Sequence, residues 1–324
     1  MAVSSSVPEI ASSTKTPSAV YEEKKPPFRT VWRQHWMIYL MLAPAAVLLI
    51  LFHLYPLWGL SIAFVKYSAF KGVMGSPFVG LDNFRRFFEG PDAFNVIRNT
   101  LGIALGKIVL GQVAGLTFAL TINEIRHVLF KRVAQTTTTL PHFLSWVLIG
   151  GVMVEILNRS GIVNRGIEAL GFNTISFLGD PRLFPYTMIA LETWKEFGWG
   201  AVIYLAALAG INPETYEAAA VDGAGRWARL RHVSIPGIAP IIALLACLSL
   251  GYVLNAGFEQ ILVFINPIVF STGDILDTYV YRVGLLTGEF SLGTAVGMFR
   301  SIVGFILVWL SYWLADKYAN YRIF

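Results

Sequence analysis

Long apolar runs alternate with short polar segments along this chain. A helix that crosses about 30 Å of hydrocarbon needs roughly 20 predominantly apolar residues. Six of the runs reach that length, so the pattern predicts an all-α integral membrane protein with six transmembrane helices. The predicted spans cover residues 37–65, 99–122, 138–157, 184–210, 236–256 and 293–315.

A polar insert at residues 211–235 separates the fourth predicted span from the fifth. Asn212 is a favourable helix N-cap, and Pro213 at the first helical position gives up only a donor that the helix does not use. We expect this helix to end near Gly223, because glycine tolerates the positive φ at which the chain can turn. A second short helix then fits residues 225–233. The insert therefore predicts a bent pair of short helices.

The orientation of the chain follows from its basic residues. Residues 1–30 are rich in Ser, Pro, Thr and Lys and poor in aromatic side chains, which predicts a disordered tail. Lys24, Lys25 and Arg29 precede the first span, and basic residues mark the cytoplasmic ends of spans. Because an even number of spans returns the chain to one side, both termini and the insert are expected in the cytoplasm. Residues 31–324 then form one transmembrane domain.

The composition agrees with a membrane protein. Hydrophobic residues make up 55% and charged residues 14% of the chain, with a mean hydropathy of +0.60. Charged residues are about 25% of an ordinary soluble domain. The net charge of +5 does not indicate nucleic acid, because cytoplasmic anchoring itself requires basic residues near span ends. The single cysteine, Cys247, lies in an apolar run, so neither a disulfide within the chain nor a thiolate metal site is predicted.

The polar insert also carries an ordered motif of small and charged residues. It reads EAA, three residues, Gly, nine residues and a near I-x-L-P ending, with two bulky aliphatic substitutions. The motif residues are Glu217, Ala218, Ala219, Gly223, Val233, Ile235 and Pro236. This pattern resembles the EAA loop of binding-protein-dependent ABC import permeases. The resemblance implies a type I ABC importer permease fold in the bacterial inner membrane.

Further segments carry the resemblance through nearly everything after residue 30. They are NTLGIALGK, LPHFLSWV, FLGDPRLF, WKEFGWGAVIYLAALAGI and NAGFEQ. They resemble the LplB-like polysaccharide permeases, and among those the permeases of alginate importers in Gram-negative bacteria. The implied function is passage of an oligo- or polysaccharide, acidic and alginate-like, from the periplasm to the cytoplasm.

The resemblance also implies the partners of the chain. They are a second, different permease subunit, two ATPase subunits, a periplasmic solute-binding protein, the saccharide and the lipid bilayer. ATP and Mg²⁺ would bind the ATPase partner, and no cofactor is expected here, because the sequence lacks the G-x-x-x-x-G-K-[ST] phosphate loop. We therefore predict that this chain is not an enzyme. The residues predicted to couple it to the ATPase are Glu217, Ala218, Ala219, Asp222, Gly223 and Arg226.

Charged and aromatic residues in and near the last three spans suggest a substrate pathway. Glu192 and Lys195 are neighbours on one helical face and can form an internal ion pair, whereas Arg300 has no acidic neighbour one turn away. A guanidinium favours the carboxylate of an acidic sugar over a neutral hydroxyl. The predicted pathway residues are Trp194, Lys195, Glu196, Trp199, Tyr252, Asn255, Phe258, Glu259, Gln260 and Arg300.

Three alternatives stay open at this point. Two short helices around a glycine also occur in DNA-binding motifs, although the flanking spans leave little room for a duplex and no nucleic acid is expected. An ion-coupled secondary transporter is the main rival, because intramembrane charges can form a relay. A structural scaffold would leave those charges unexplained. The charges concerned are Lys107, Glu192, Lys195, Glu196, Glu259 and Arg300.

Overall fold

The computed structural model describes the backbone of residues 28–319 and the side chains of residues 35–313. Every regular element in this part of the chain is helical, and an isolated β-bridge joins Val65 and Phe78. The all-α prediction is confirmed. Most of the predicted tail, residues 1–27, lies outside the described residues. The chain forms two compact units, residues 1–58 and 59–324.

The first unit is a long apolar helical run. Helix α1 (Phe28–Leu49) contains Pro44, and the backbone leaves helical geometry at His35, with φ −116° and ψ 17°. A π-helical turn (Ile50–Leu54) and α2 (Tyr55–Leu57) continue it. Proline lacks the N–H of the helical ladder, so a local change in helix geometry near such a residue is expected.

The second unit starts with a 3₁₀ segment that belongs to the run Trp58–Phe64. Its α-helices are α3 (Asp82–Phe88), α4 (Ala93–Asn123), α5 (Val128–Thr139), α6 (Trp146–Leu157), α7 (Ile162–Ala169), α8 (Phe184–Ala209), α9 (Pro213–Val221), α10 (Arg226–Arg229), α11 (Ile235–Leu250), α12 (Phe258–Phe264), α13 (Phe270–Gly273), α14 (Leu276–Tyr279) and α15 (Phe290–Ala319). Short 3₁₀ or π-helical turns cover Leu140–Phe143, Leu230–Ser234, Pro267–Val269 and Val280–Leu286.

Five helical stretches in the described residues are long and apolar enough to cross a membrane. They are His35–Phe64, Ala93–Asn123, Trp146–Ala169, Arg226–Leu250 and Phe290–Trp313. Helix α8 has 26 residues, enough to cross as well, but it carries Glu192, Lys195 and Glu196 near its middle. The predicted count of six spans therefore agrees approximately with the structure, with α8 as the sixth.

Three predicted boundaries need correction. The third span, predicted at 138–157, is not one helix: α5 ends at Thr139, a 3₁₀ turn contains Pro141, and Ser145 caps α6. The second helix of the polar insert does not end at residue 233 but runs through a π-helical turn into α11. The fifth span ends at Leu250 rather than 256, because a turn leads to Gly257 at φ +87°.

The core of the second unit centres on the packing of α4 against α8, supported by α12, α14 and α15. Glycines permit close approach where these helices meet other backbone. A Cβ on Gly115 would lie 3.4 Å from the Phe197 carbonyl oxygen, and one on Gly198 would lie 2.3 Å from the Thr138 carbonyl oxygen. Small residues at helix contacts are typical of membrane proteins, where packing replaces the hydrophobic driving force.

We predict that Gly198→Ala destabilises the protein by about 1–3 kcal/mol, because the new methyl group would overlap backbone atoms that cannot rotate away. The matched control is Gly200→Ala on the same helix, where a Cβ would meet nothing within 4 Å. The measurement is the thermal unfolding temperature of the detergent-solubilised protein. Equal unfolding temperatures for the two variants would contradict the packing described here.

Candidate functional site

The first candidate site is the coupling surface, which comprises α9, the turn at Gly223 and the start of α10. Asn212 caps α9 as predicted: its side-chain oxygen accepts a hydrogen bond from the Glu214 backbone N–H at 3.0 Å. Helix α9 ends at Val221, and Gly223 follows with φ +78°. Both features of the predicted bend are present.

The predicted coupling residues lie together on this surface. Ala219 is half-buried, and the others are exposed: Glu217, Ala218, Asp222, Gly223 and Arg226. Two large apolar side chains that sequence reasoning did not select, Val221 and Trp227, are also exposed, at 88% and 74%. Large exposed apolar side chains among charged ones can take part in a protein contact, so the surface can receive a partner.

The coupling surface is tied to the helix that follows it. The Tyr216 hydroxyl lies 3.0 Å from the Ser234 hydroxyl, and Ser234 is almost fully buried. Because Arg226–Leu250 is one continuous helical stretch, this contact joins the first short helix to the fifth span. A displacement of α9 would therefore be passed directly to this helix.

The second candidate site is a cleft of about 430 Å³ between α4, α8 and the turn after α11. Three charged residues line it, Lys107, Glu192 and Glu196, together with polar, aromatic and apolar side chains. The full lining is Ala104, Lys107, Ile108, Gly111, Glu192, Thr193, Glu196, Ser249, Tyr252, Asn255 and Gly257. The lining is largely apolar, but its charged and polar side chains offer a hydrophilic solute a place to bind among membrane-spanning helices.

The cleft brings together only part of the predicted pathway set. Glu196, Tyr252 and Asn255 line it, and Gln260 is buried beside Lys107. The remaining predicted residues are outside the lining: Trp194, Lys195, Trp199, Phe258, Glu259 and Arg300. From the sequence, Lys107 was a candidate only for an ion relay, and Glu192 for that relay or for an internal pair with Lys195. Neither Thr193 nor Ser249 was predicted.

Lys107 connects three parts of the chain at this cleft. Its ammonium group donates to the Ala256 carbonyl oxygen at 2.7 Å and to Gln260 Oε1, and it lies 3.5 Å from Glu192 Oε2. Gln260 is fully buried and donates in turn to the Met188 carbonyl oxygen on α8 at 2.9 Å. The proposed internal pair between Glu192 and Lys195 is therefore replaced by a pair between Glu192 and Lys107.

Lys195 belongs to a separate cluster behind the cleft. Its ammonium group lies 2.8 Å from Glu196 Oε1 and donates to the His142 carbonyl oxygen at 3.1 Å. Glu196 Oε2 is 2.6 Å from His142 Nδ1, and the His142 ring stacks on Trp199 with centroids 4.4 Å apart. Trp199 thus stacks on a protein side chain, and Glu196 shares its charge between the cluster and the cleft.

Arg300 has no acidic neighbour one turn away on α15, and in the structure it pairs with a residue on another helix. Its Nη1 lies 2.8 Å from Asp277 Oδ1 on α14, and its Nε donates to the Leu254 carbonyl oxygen at 3.3 Å. Burial raises the pKa of the Asp277 carboxyl, and the charge of Arg300 opposes that rise. The pair fixes α14 and the turn after α11 to the last span.

Residues 107–320 match the family of the binding-protein-dependent transport system inner membrane component. The chain belongs to this family. The matched region starts at Lys107 and contains the coupling surface and every residue of the cleft lining except Ala104. Membership identifies the chain as a transporter permease and does not favour an ion-coupled secondary transporter.

Two relatives extend the match toward the N-terminus. Protein LplB of Bacillus subtilis is 40% identical over 293 residues, which are 90% of this permease and 92% of LplB. The polygalacturonan/rhamnogalacturonan transport system permease protein YteP of the same species is 38% identical over 292 residues, 90% of this permease and 91% of YteP. The predicted relation to LplB-like polysaccharide permeases is confirmed.

Two solved structures share the fold over nearly their whole length. One is a crystal structure of a bacterial ABC transporter involved in the import of the acidic polysaccharide alginate, with a TM-score of 0.82 and 33% identity, covering 90% of this permease and 98% of that chain. The other is a bacterial alginate ABC transporter in complex with an alginate pentasaccharide-bound periplasmic protein, with a TM-score of 0.83 and 32% identity, covering 91% and 99%. The type I ABC importer permease fold and the prediction of a saccharide-importer permease are confirmed.

Proposed function

We propose that this permease forms one half of the membrane pathway of an ATP-driven importer for acidic oligosaccharides. The observation that carries the proposal is the cleft with Lys107, Glu192 and Glu196 on membrane-spanning helices. A charge near the centre of a bilayer costs about 2.5–3.5 kcal/mol on insertion scales. Three charged side chains beside a cleft are reasonable where a polar solute crosses the membrane.

The class of substrate follows from the relatives. The names of YteP and of the two structural neighbours refer to polygalacturonan, rhamnogalacturonan and alginate, which are polymers that contain uronic acids. Their repeated carboxylates call for charged partners as well as hydroxyl-binding groups in the pathway. An oligouronate is therefore the substrate that we propose for this chain.

The proposed assembly contains this permease, a second and different permease, two ATPase subunits that bind ATP and Mg²⁺, and an external solute-binding protein. One structural neighbour is a transporter in complex with a substrate-bound periplasmic protein, which supports the last partner. The exposed coupling surface supports an ATPase partner on the opposite side. Closure of the ATPase dimer would act on α9 as a rigid-body switch.

We further propose that both termini and the coupling surface face the cytoplasm. With Cys247 replaced by serine, a cysteine introduced at the exposed Ala220 should react with membrane-impermeant maleimide only after the membrane is opened. A cysteine at Met74, which is 85% exposed in the loop before α3, should react in intact spheroplasts. Labelling of residue 220 in sealed spheroplasts would contradict this orientation.

The complex reconstituted in liposomes tests the proposed function. With the binding protein saturated, ATP hydrolysis should rise several-fold with an oligouronate, and labelled substrate should accumulate inside. The comparison ligand is the same oligosaccharide after reduction of its carboxyl groups. Uptake that follows an ion gradient and ignores ATP would contradict the proposal, as would a permease that never copurifies with an ATPase.

A further inference from the structure

We propose that Lys107 binds a carboxylate of the substrate, and that this carboxylate displaces Glu192 from the lysine ammonium group. The inference rests on the proposed function, an importer of acidic oligosaccharides. It assigns the recognition of charge to a residue on α4, whereas the sequence pattern pointed to Lys195 and Arg300.

Lys107 is the one cation among the residues that line the cleft. The two cations predicted for this role have carboxylate partners at 2.8 Å and lie outside the lining: Lys195 with Glu196, and Arg300 with Asp277. Among the described residues, a substrate carboxylate that enters the cleft therefore meets a single cationic group.

The ammonium group of Lys107 keeps its position without help from Glu192. The Ala256 carbonyl oxygen at 2.7 Å and Gln260 Oε1 hold two of its three protons, and Gln260 is itself fixed by its hydrogen bond to Met188. A Cβ on Gly257 would lie 2.7 Å from Lys107 Nζ, so glycine at this turn also keeps the space that the ammonium group fills. A group held in this way is preorganised for a ligand.

The contact with Glu192 is the one suited to exchange. Its length of 3.5 Å exceeds the about 2.7–2.9 Å of a strong charge-assisted hydrogen bond. The Glu192 side chain is 25% exposed and lines the cleft, whereas the Lys107 side chain is only 8% exposed. A substrate carboxylate could approach the third ammonium proton from the cleft and make a shorter contact. Glu192 can then remain hydrated at the cleft surface.

The same cleft supplies contacts for the rest of a sugar. Tyr252 is 68% exposed and offers an aromatic ring, while the exposed Asn255 offers an amide that can bind hydroxyl groups. Asn255 immediately precedes Ala256, whose carbonyl oxygen binds Lys107. Neighbouring residues of one turn would thus bind the ring hydroxyls and position the lysine that binds the uronate carboxylate.

Competition between Glu192 and the substrate has a functional reason. A pathway must bind its cargo weakly enough to release it, and a resident carboxylate that returns to Lys107 assists release. Removal of that competitor should strengthen binding of an acidic substrate, and removal of the lysine should weaken it. The two substitutions are therefore expected to change the affinity for an acidic substrate in opposite directions. A purely structural ion pair would not give that result.

The test uses the reconstituted complex with its binding protein and compares an oligouronate with its carboxyl-reduced counterpart of equal length. Any preference of the binding protein is common to all variants and cancels when their ratios are compared. Lys107→Gln should lower the preference for the acidic ligand by roughly tenfold or more, the loss of one charged hydrogen bond. Lys107→Arg should retain most of this preference.

Glu192→Gln should lower the half-saturating concentration of the acidic ligand alone. Lys71→Gln, which removes an exposed lysine outside the cleft, is the matched control and should keep the wild-type ratio.

The results separate the two levels of the proposal. If the wild-type complex ignores the oligouronate altogether, the proposed function is wrong. If the wild type responds but Lys107→Gln affects both ligands equally, Lys107 is structural and the inference is overturned. Should Lys107→Gln fail to assemble, Glu192→Gln decides: tighter acidic binding supports the inference, and unchanged or weaker binding overturns it.

Discussion

Replacing Glu217 with alanine is expected to reduce transport at least tenfold while the permease stays folded in the membrane. Glu217 is exposed on α9, and the described residues supply it with no hydrogen bond or ion pair, so its loss should leave the packing of the helix unchanged. By resemblance to the EAA loop, its carboxylate pairs with a basic residue of the ATPase. Truncating one member of a charge pair that is buried and hydrogen-bonded in an interface costs about 2–5 kcal/mol. We expect substrate-stimulated ATP hydrolysis and uptake to fall at least tenfold.

The matched control for this experiment is Glu214→Ala. Glu214 lies in the first turn of the same helix, and its carboxylate accepts a hydrogen bond from the Asn212 side chain at 3.2 Å. The control removes the same charge from the same surface but leaves the motif carboxylate in place. Unfolding temperature and the amount of copurified ATPase should be measured for both variants. Normal transport by Glu217→Ala would overturn the coupling role of this surface.

The coupling surface was predictable because its signals are local. A capping asparagine, a proline at the first helical position and a glycine at the bend each act through neighbouring backbone atoms. The structure has all three: the Asn212 cap, Pro213 at the start of α9, and Gly223 at φ +78°. The length of the second helix was not predictable in this way, because nothing in residues 230–235 stops a helix and the next span begins at once.

The ion pairs of the spans could not be derived from the sequence. Helical spacing correctly places Glu192 near Lys195, but their partners come from elsewhere: Lys107 is 85 residues from Glu192 in the chain, and Lys195 bonds its direct neighbour Glu196. The packing of α4 against α8 determines which lysine reaches which carboxylate. Hydropathy also missed the break near Pro141, because an apolar average does not register a missing N–H.

The continuity of the fifth span relates the two candidate sites to each other. The helical stretch Arg226–Leu250 begins in the coupling surface and ends beside Ser249, which lines the cleft. Gln112 on α4 donates to the Ser249 hydroxyl at 2.9 Å, and Ser249 donates to the Leu245 carbonyl oxygen at 2.7 Å. A displacement of this helix would therefore reach the cleft along one helical stretch, which contains the π-helical turn Leu230–Ser234 and Pro240. We expect coupling to depend on the length and stiffness of this one helix.

Replacing Arg300 with glutamine is expected to destabilise the permease and to leave its preference for acidic substrate unchanged. Arg300 lies outside the cleft lining and its Nη1 is 2.8 Å from Asp277 Oδ1, so the change leaves a carboxylate that is only 16% exposed without its cation. Breaking a fully buried pair in this way costs about 3–5 kcal/mol. Since this pair is partly exposed, a loss below that range is expected, measured as a lower unfolding temperature.

The double variant Arg300→Gln with Asp277→Asn separates a structural role from a substrate contact. It removes both charges, so most of the lost stability should return. Burial already raises the pKa of Asp277, and without Arg300 the carboxyl binds its proton more readily in the folded protein than in the unfolded chain. Stability then falls as pH rises, so the deficit of Arg300→Gln should be smaller near pH 5 than near pH 8. If Arg300→Gln instead keeps its unfolding temperature and loses only the response to acidic oligosaccharide, Arg300 contacts the substrate and the structural role is wrong.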